Sequence, residues 1–224
     1  MLSLDCQILV RSGGLLKGLV DSVQELPALF GDFSLNAANA LSVETYLQMG
    51  LSRITPTYDL NSKQIEELTD RIPALSLEVI AYSHLPVFHT EHCVFCRFLS
   101  DGTDSTNCGH PCEQHRVAVR DSNGREHPVM ADIGCRNTVF GAEAQTDPNS
   151  LAHWQSAGIQ HYRIEFVHQS PQQVCGITGA FRDYFDTAIN ASQLGSTLNQ
   201  HSPQRTTQGS LFVPKDYKEL IQLN

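Results

Sequence analysis

Apolar and polar positions switch between two periods along residues 1–90. QILVR at 7–11 is a short apolar run and predicts a strand. After Gly13 and Gly14, Leu15, Leu16, Leu19, Val20, Val23 and Leu26 recur at helical spacing until Pro27 stops them. DFSLN at 32–36, with Phe33 and Leu35 alternating, predicts the next strand. LSVETYLQM then predicts a helix that ends at Gly50, a natural C′ residue. SRIT at 52–55 reads as a third strand. Asn61, with Gln64 three residues on, opens a helix by a capping box; Ile65, Leu68 and Ile72 form its buried stripe and Pro73 closes it. LEVIAY at 77–82 is a fourth strand, apolar enough to be covered on both faces.

Strands alternating with helices predict an α/β chain with a parallel sheet. A doubly wound sheet and part of a (β/α)8 barrel both fit, and no G-x-G-x-x-G follows any strand to favour a dinucleotide-binding version. Downstream, VAVRDSNGREHPVMAD predicts a hairpin with Asn123 and Gly124 as its two-residue turn. LAHWQSAG predicts a short helix ending at Gly158, and YRIEFV at 162–167 a fifth strand. QQVCGITGAFRDYFDTAIN predicts a helix with Val174, Ile177, Phe181 and Phe185 on one side. Residues 192–211 are rich in Ser, Gln, Thr and Gly and read as a polar linker, followed by the tail LFVPKDYKELIQLN. The expected organisation is therefore a domain over 1–191 and a linker with tail over 192–224. A whole barrel takes eight such strands and about 250 residues. This chain reads as the C-terminal half of a barrel, completed by a missing N-terminal half or by a second chain.

The chemistry is concentrated in an insert at about 90–137, just after the fourth strand. Cys93, Cys96, Cys108, Cys112 and Cys135 lie there as C-x2-C, eleven residues, C-x3-C, twenty-two residues, C. Two close pairs and one distant cysteine bring several thiolates to one point, and thiolate clusters select zinc or iron–sulfur centres. The hairpin between Cys112 and Cys135 would return the chain to that point, and Gly134 would let the backbone come close. Disulfides are the competing reading. MLSLDCQILV has no basic n-region, long apolar run or cleavage site, so the expected compartment is the reducing cytoplasm, where clustered cysteines are ligands. Cys6 and Cys175 stand apart and read as small core residues.

Composition narrows the classes. With 224 residues and 41% hydrophobic content, the chain can build one sizeable core and a small module. No apolar run approaches the roughly 18 residues of a membrane span, so no membrane is expected as partner. The formal net charge of −9 does not support sequence-independent nucleic-acid binding, though it leaves room for an RNA delivered by another domain or subunit. Eleven arginines stand against four lysines, and Arg97, Arg116, Arg120, Arg125 and Arg136 fall in the cysteine stretch. Arginine suits carboxylate or phosphate recognition; the bland alternative is a set of surface arginines paired with nearby acids.

The runs FHTEHCVFCRFLS, CGHPCE, VRDSNGREHPV and ADIGCRN, with DFSLNAAN, YDLNSKQIEEL and LEVIAYSHLP upstream, resemble peptidase family U32, the collagenase-like proteases. The resemblance covers roughly residues 5 to 168. It implies a TIM-like barrel, of which this chain is the C-terminal half with an inserted cysteine-rich β-hairpin module. It also implies a [4Fe-4S] cluster that, in several members, supports oxygen-independent hydroxylation of RNA bases or of a ubiquinone precursor. By motif, Cys93, Cys108, Cys112 and Cys135 match the four cluster cysteines; Cys96 is additional, either a replacement for Cys93 or a free thiol beside it. Arg11, Asn36 and His84 lie near strand ends and are the candidate substrate contacts, with loop or capping roles as their ordinary alternative. No catalytic residue is assigned.

Two other functions stay open. For a peptidase, two motifs to look for are G-x-S-x-G and H-E-x-x-H, and neither is present. His89, His92, His110, His115 and His127 nevertheless leave a Cys/His dyad or a zinc-bound water available. A closed four-cysteine zinc site would instead make the chain a non-catalytic interaction subunit.

Overall fold

A computed structural model describes residues 6–22, 25–132 and 134–214. β1 is Ile8–Val10, followed by helix α1, Gly13–Ser22; Val23 of the expected helix lies outside the described residues. β2 is Leu29–Gly31, and α2, Ala40–Gln48, stops at Gly50, whose φ of +109° suits glycine. β3 is Arg53–Ile54. α3, Ser62–Leu68, begins with the full capping box of Asn61 and Gln64, and Ile65, Leu68 and Ile72 are buried as expected. β4 is Glu78–Tyr82.

The strand expected over DFSLN lies earlier. Residues 33–35 form a single 3-10 turn that ends at Asn36 in the left-handed region. Asp32 explains the change, because its carboxylate is drawn into ion pairs with Arg11 and Arg163 where the strand would have continued.

β1, β2 and β3 pair in parallel, and one parallel bridge from Ile54 to Leu77 leads on to β4. β4 then pairs in parallel with β10, His161–Ile164. The array is thus mixed with helices in the α/β manner, and no closed barrel forms among the described residues. On one face Val10, Leu29, Ile54, Val79 and Ala81 are buried in the main core with Leu16, Val43 and Leu68 of the helices. Gly31 belongs there because a Cβ would come within 2.6 Å of Leu51 Cδ1. The other face carries Leu9, Phe30, Arg53, Glu78 and Ile80 by strand alternation, and none of these is fully buried. On the Glu78 face the strand is only half-covered at Glu78 and Ile80 but fully buried at Tyr82, so LEVIAY is covered on both faces only towards its end.

The insert forms its own sheet. β5, Pro86–Thr90, leads to α4, Val94–Leu99; β6, Val117–Arg120, and β7, Glu126–Ala131, form a hairpin; β8, Asn137–Phe140, closes the set. The antiparallel order is β5-β8-β7-β6. The hairpin turn is five residues long. Asp121 N donates to Arg125 O at 3.0 Å, and Asp121 Oδ1 accepts from Asn123 N and Arg125 N, so Asp121 organises a longer loop than an Asn-Gly turn needs.

After β9, Ala144–Gln145, come α5, Pro148–Ser156, β10, and α6, Pro171–Phe185. Ile177, Ala180 and Phe181 form the buried stripe of α6. Cys175 falls off that stripe and is exposed, and Cys6 is half-buried, so neither is the core residue expected. The polar linker expected over 192–211 is also structured. α7, Ala191–His201, starts with an Asn190–Gln193 capping box and buries Leu194 and Leu198 completely. β11, Thr206–Thr207, then pairs with β9 in parallel. Two leucines one turn apart suffice to dock a helix that composition alone marks as polar. Residues 215–224 of the tail lie outside the described residues.

Candidate metal centre

The cysteine insert leaves β4 and returns at β9 through a narrow neck. Ser83 and Gln145 exchange backbone hydrogen bonds of 3.1 and 2.7 Å, and Gly141 N donates to Leu85 O at 2.8 Å. His84 is buried in this neck and its Nδ1 donates to Gly141 O at 2.8 Å, since a carbonyl only accepts.

Beyond the neck, Phe95 anchors α4 on Val129 and Val139 of the sheet, in a small core that also holds Cys93 and Cys112. Cys93 is the N-cap of α4, and its Sγ accepts from Cys96 N at 3.5 Å. Cys96 is buried, and its thiol donates to Gly102 O at 3.4 Å. The loop to Cys108 is held by its own side chains. Ser100 Oγ donates to Cys108 O at 2.8 Å, and Asn107 Oδ1 accepts from Thr103 N and Asp104 N. Gly102 is required here, since a Cβ would sit 2.5 Å from Asn107 O and from Cys108 Cα. Cys112 lies in the 3-10 turn Pro111–Glu113, and Cys135 follows Gly134 with both residues at positive φ.

These loops bring Cys93, Cys96, Cys108, Cys112 and Cys135 to the wall of one cavity of about 870 Å³. All five are free thiols. Burial, and then Cys108 and Cys93, push the Cys96 thiol up; burial, and then Cys93, push Cys112 up. Thiols crowded in this way resist ionising together, and a bound cation reverses that preference. As the side chains stand, no group of three or more His, Cys, Asp or Glu among the described residues is placed to hold a single ion.

A second cavity, of about 610 Å³, shares Ala131 and Asp132 with the cysteine cavity. Arg11, His84, Asp32, Arg163, Glu165 and Tyr58 line it. Arg163 is the hub. Its Nη1 donates to Asp32 Oδ1 at 2.7 Å and to Glu165 Oε1 at 3.0 Å, its Nε donates to Glu78 Oε1 at 2.6 Å, and its Nη2 donates to Thr55 Oγ1. Burial opposes its charge, but the bond to Asp32 and the Glu78 and Glu165 carboxylates outweigh that and hold the guanidinium above its ordinary value. Arg11 Nε donates to Asp32 Oδ2 at 3.0 Å, and Tyr58 donates to Glu165 at 2.9 Å. Both arginines of this cavity are thus committed to carboxylates.

The sequence pattern of peptidase family U32 matches residues 18–219. This chain belongs to peptidase family U32. Among curated proteins no match to it was found.

In this U32 chain the five cysteines singled out by spacing share one cavity. Of the three candidate substrate contacts, Arg11 and His84 share the neighbouring cavity, whereas Asn36 is an exposed residue closing the 3-10 turn. His92 and His110 line the cysteine cavity; His89 hydrogen-bonds Thr138 Oγ1 at 2.8 Å and lines the second cavity. His115 lies on a third cavity, of about 640 Å³, and His127 pairs with Asp121 at 3.3 Å. Sequence reading missed Asp32, Arg163, Glu165, His168 and Asn137. A signal existed for Arg163 and Glu165, which alternate with Tyr162, Ile164 and Phe166 in the sequence. None marked Asn137 beyond its closeness to Cys135.

Proposed function

We propose that this U32 protein holds a [4Fe-4S] cluster on Cys93, Cys108, Cys112 and Cys135 and supports oxygen-independent hydroxylation of an RNA base or quinone precursor in the adjoining cavity. The observation that carries the reading is the set of five free thiols around one cavity of about 870 Å³. An all-thiolate donor set suits an iron–sulfur cluster. Cys93 is favoured over Cys96 because its sulfur accepts an N–H, as a thiolate ligand does, while Cys96 acts as a donor to Gly102 O. When bound, the cluster would supply one-electron chemistry. The shared wall at Ala131 and Asp132 supports a substrate site next to it, with His84 at the neck and the Arg163 ion pairs keeping the cavity's walls in place. The parallel order β1-β2-β3-β4-β10, with helices over one face, supports reading the array as part of a (β/α)8 barrel, and the exposure of Leu9 with the part-exposed Phe30 and Ile80 on the opposite face supports completion by further chain. The peptidase reading rests on the family's description alone. The test is anaerobic purification followed by absorption near 400 nm and iron, sulfide and zinc analysis. About four irons and four sulfides per chain are expected; one zinc and no iron would overturn the reading.

A further inference from the structure

We infer that Asn137 is the positioning residue of the cysteine centre, tying its first cysteine to its last. The inference rests on the cluster reading above. Asn137 is fully buried, on the central strand β8, paired with Thr90 of β5 on one side and Ala131 of β7 on the other. Among the described residues its side-chain bonds go to the centre. Oδ1 accepts from Val94 N at 2.6 Å, taking up a first-turn N–H of α4 that the helix itself leaves unpaired. Nδ2 donates to Arg136 O at 2.7 Å and approaches Cys93 Sγ at 3.9 Å. Arg136 O also accepts from Asp132 N at 2.8 Å, which closes the loop bearing Cys135.

One amide therefore joins two segments, Cys93 with Val94 and Arg136 with Asn137, that the sequence separates widely. It fixes the N-terminus of α4, where Cys93 is the cap. It fixes the base of the loop that carries Cys135 in a left-handed conformation. It also adds an N–H toward the Cys93 sulfur, alongside the one from Cys96 N at 3.5 Å. Partners of this kind orient ligands, and hydrogen bonds to the sulfurs set the potential of an iron–sulfur cluster.

The two halves of the amide can be separated by substitution. Asn137→Asp keeps an oxygen for Val94 N–H but loses the donor; Asn137→Ala loses both. The full chain would be purified anaerobically, and each protein assayed for iron and sulfide, for the rate of iron loss to a chelator, and for reduction potential. Circular dichroism checks that each variant is folded. Wild type should carry the cluster. Asn137→Ala should lose iron about 10-fold faster or more. Asn137→Asp should retain iron better than Asn137→Ala yet show a potential more negative than wild type, because an N–H toward sulfur is gone and a carboxylate replaces it. A wild-type protein without iron would sink the cluster reading and this inference with it. A loaded wild type with both variants matching it in iron retention and potential would overturn the role of Asn137 while leaving the cluster reading intact. Should Asn137→Ala fail to fold, the potential of Asn137→Asp decides: an unchanged value refutes the inference.

Discussion

His168 sets up a pH experiment whose sign follows from its surroundings. Its ring meets that of His84 edge-on, with centroids 4.7 Å apart. His168 Nδ1 and His84 Nε2 are both buried without a hydrogen-bond partner among the described residues. Burial, then the neighbouring His84, then Arg116 push His168 down to about 4 from an ordinary value of 6.5. Burial also lowers His84, against the opposing bond to Gly141 O. Above pH 6.5, His168 is neutral in the folded and unfolded chain alike, and its contribution is fully present. As pH falls toward about 4, the unfolded chain binds a proton that the fold refuses, so stability is lost across that window. The gap from 6.5 to about 4 corresponds to about 3 kcal/mol. Because the ring is only half-buried, solvent screening reduces this to about 1–2 kcal/mol. Replacing His168 with Gln removes the titration and leaves the carboxylates common to both proteins. Urea unfolding followed by circular dichroism at pH 7, 5.5 and 4.5 measures the difference. The gap in stability between wild type and His168→Gln should move by about 1–2 kcal/mol in favour of the variant as pH falls. Parallel pH profiles would refute the argument.

Three further outcomes are expected. Cys108→Ser or Cys112→Ser should strip the protein of iron while Cys175→Ser, at an exposed site, leaves iron content at the wild-type level; metal analysis decides. Gly102→Ala should lower iron content with helix content unchanged, because its Cβ would push on the backbone of Asn107 and Cys108. Leu198→Ala should destabilise the chain by about 2–5 kcal/mol in urea, as expected for a fully buried leucine. A change below about 0.5 kcal/mol would mean that α7 is not part of the core.

Much of the fold could be read from local signals. The Asn61–Gln64 capping box, the Ile65, Leu68 and Ile72 stripe and the stop at Gly50 are each written within a few residues and appear as read. Readings failed where a distant partner decides. Nothing within DFSLN reveals that Asp32 will pair with Arg163, 131 residues away. Nothing within ASQLGSTLNQH reveals that Leu194 and Leu198 meet the main core. Composition weighted the polar residues of α7 by number, whereas docking depends on which face they occupy.

The site divides along the same line. Cysteine spacing indicates that thiols converge, because short loops constrain each pair. It cannot say what holds the pairs together. Two long-range devices do that: the neck, where Ser83, Leu85, Gly141 and Gln145 pair across the base of the insert, and Asn137, which binds the α4 N-terminus from the central strand. Both work through backbone groups, and a backbone partner leaves no trace in residue identity. The neck also accounts for the closeness of the two cavities. It fixes the insert to the end of β4, and Ala131 with Asp132 forms a wall common to the thiols and to the Arg163 network. A substitution that loosened the neck should therefore shift that common wall and alter both cavities at once. His84 sits at that position, with Nδ1 on Gly141 O and its ring edge-on to that of His168.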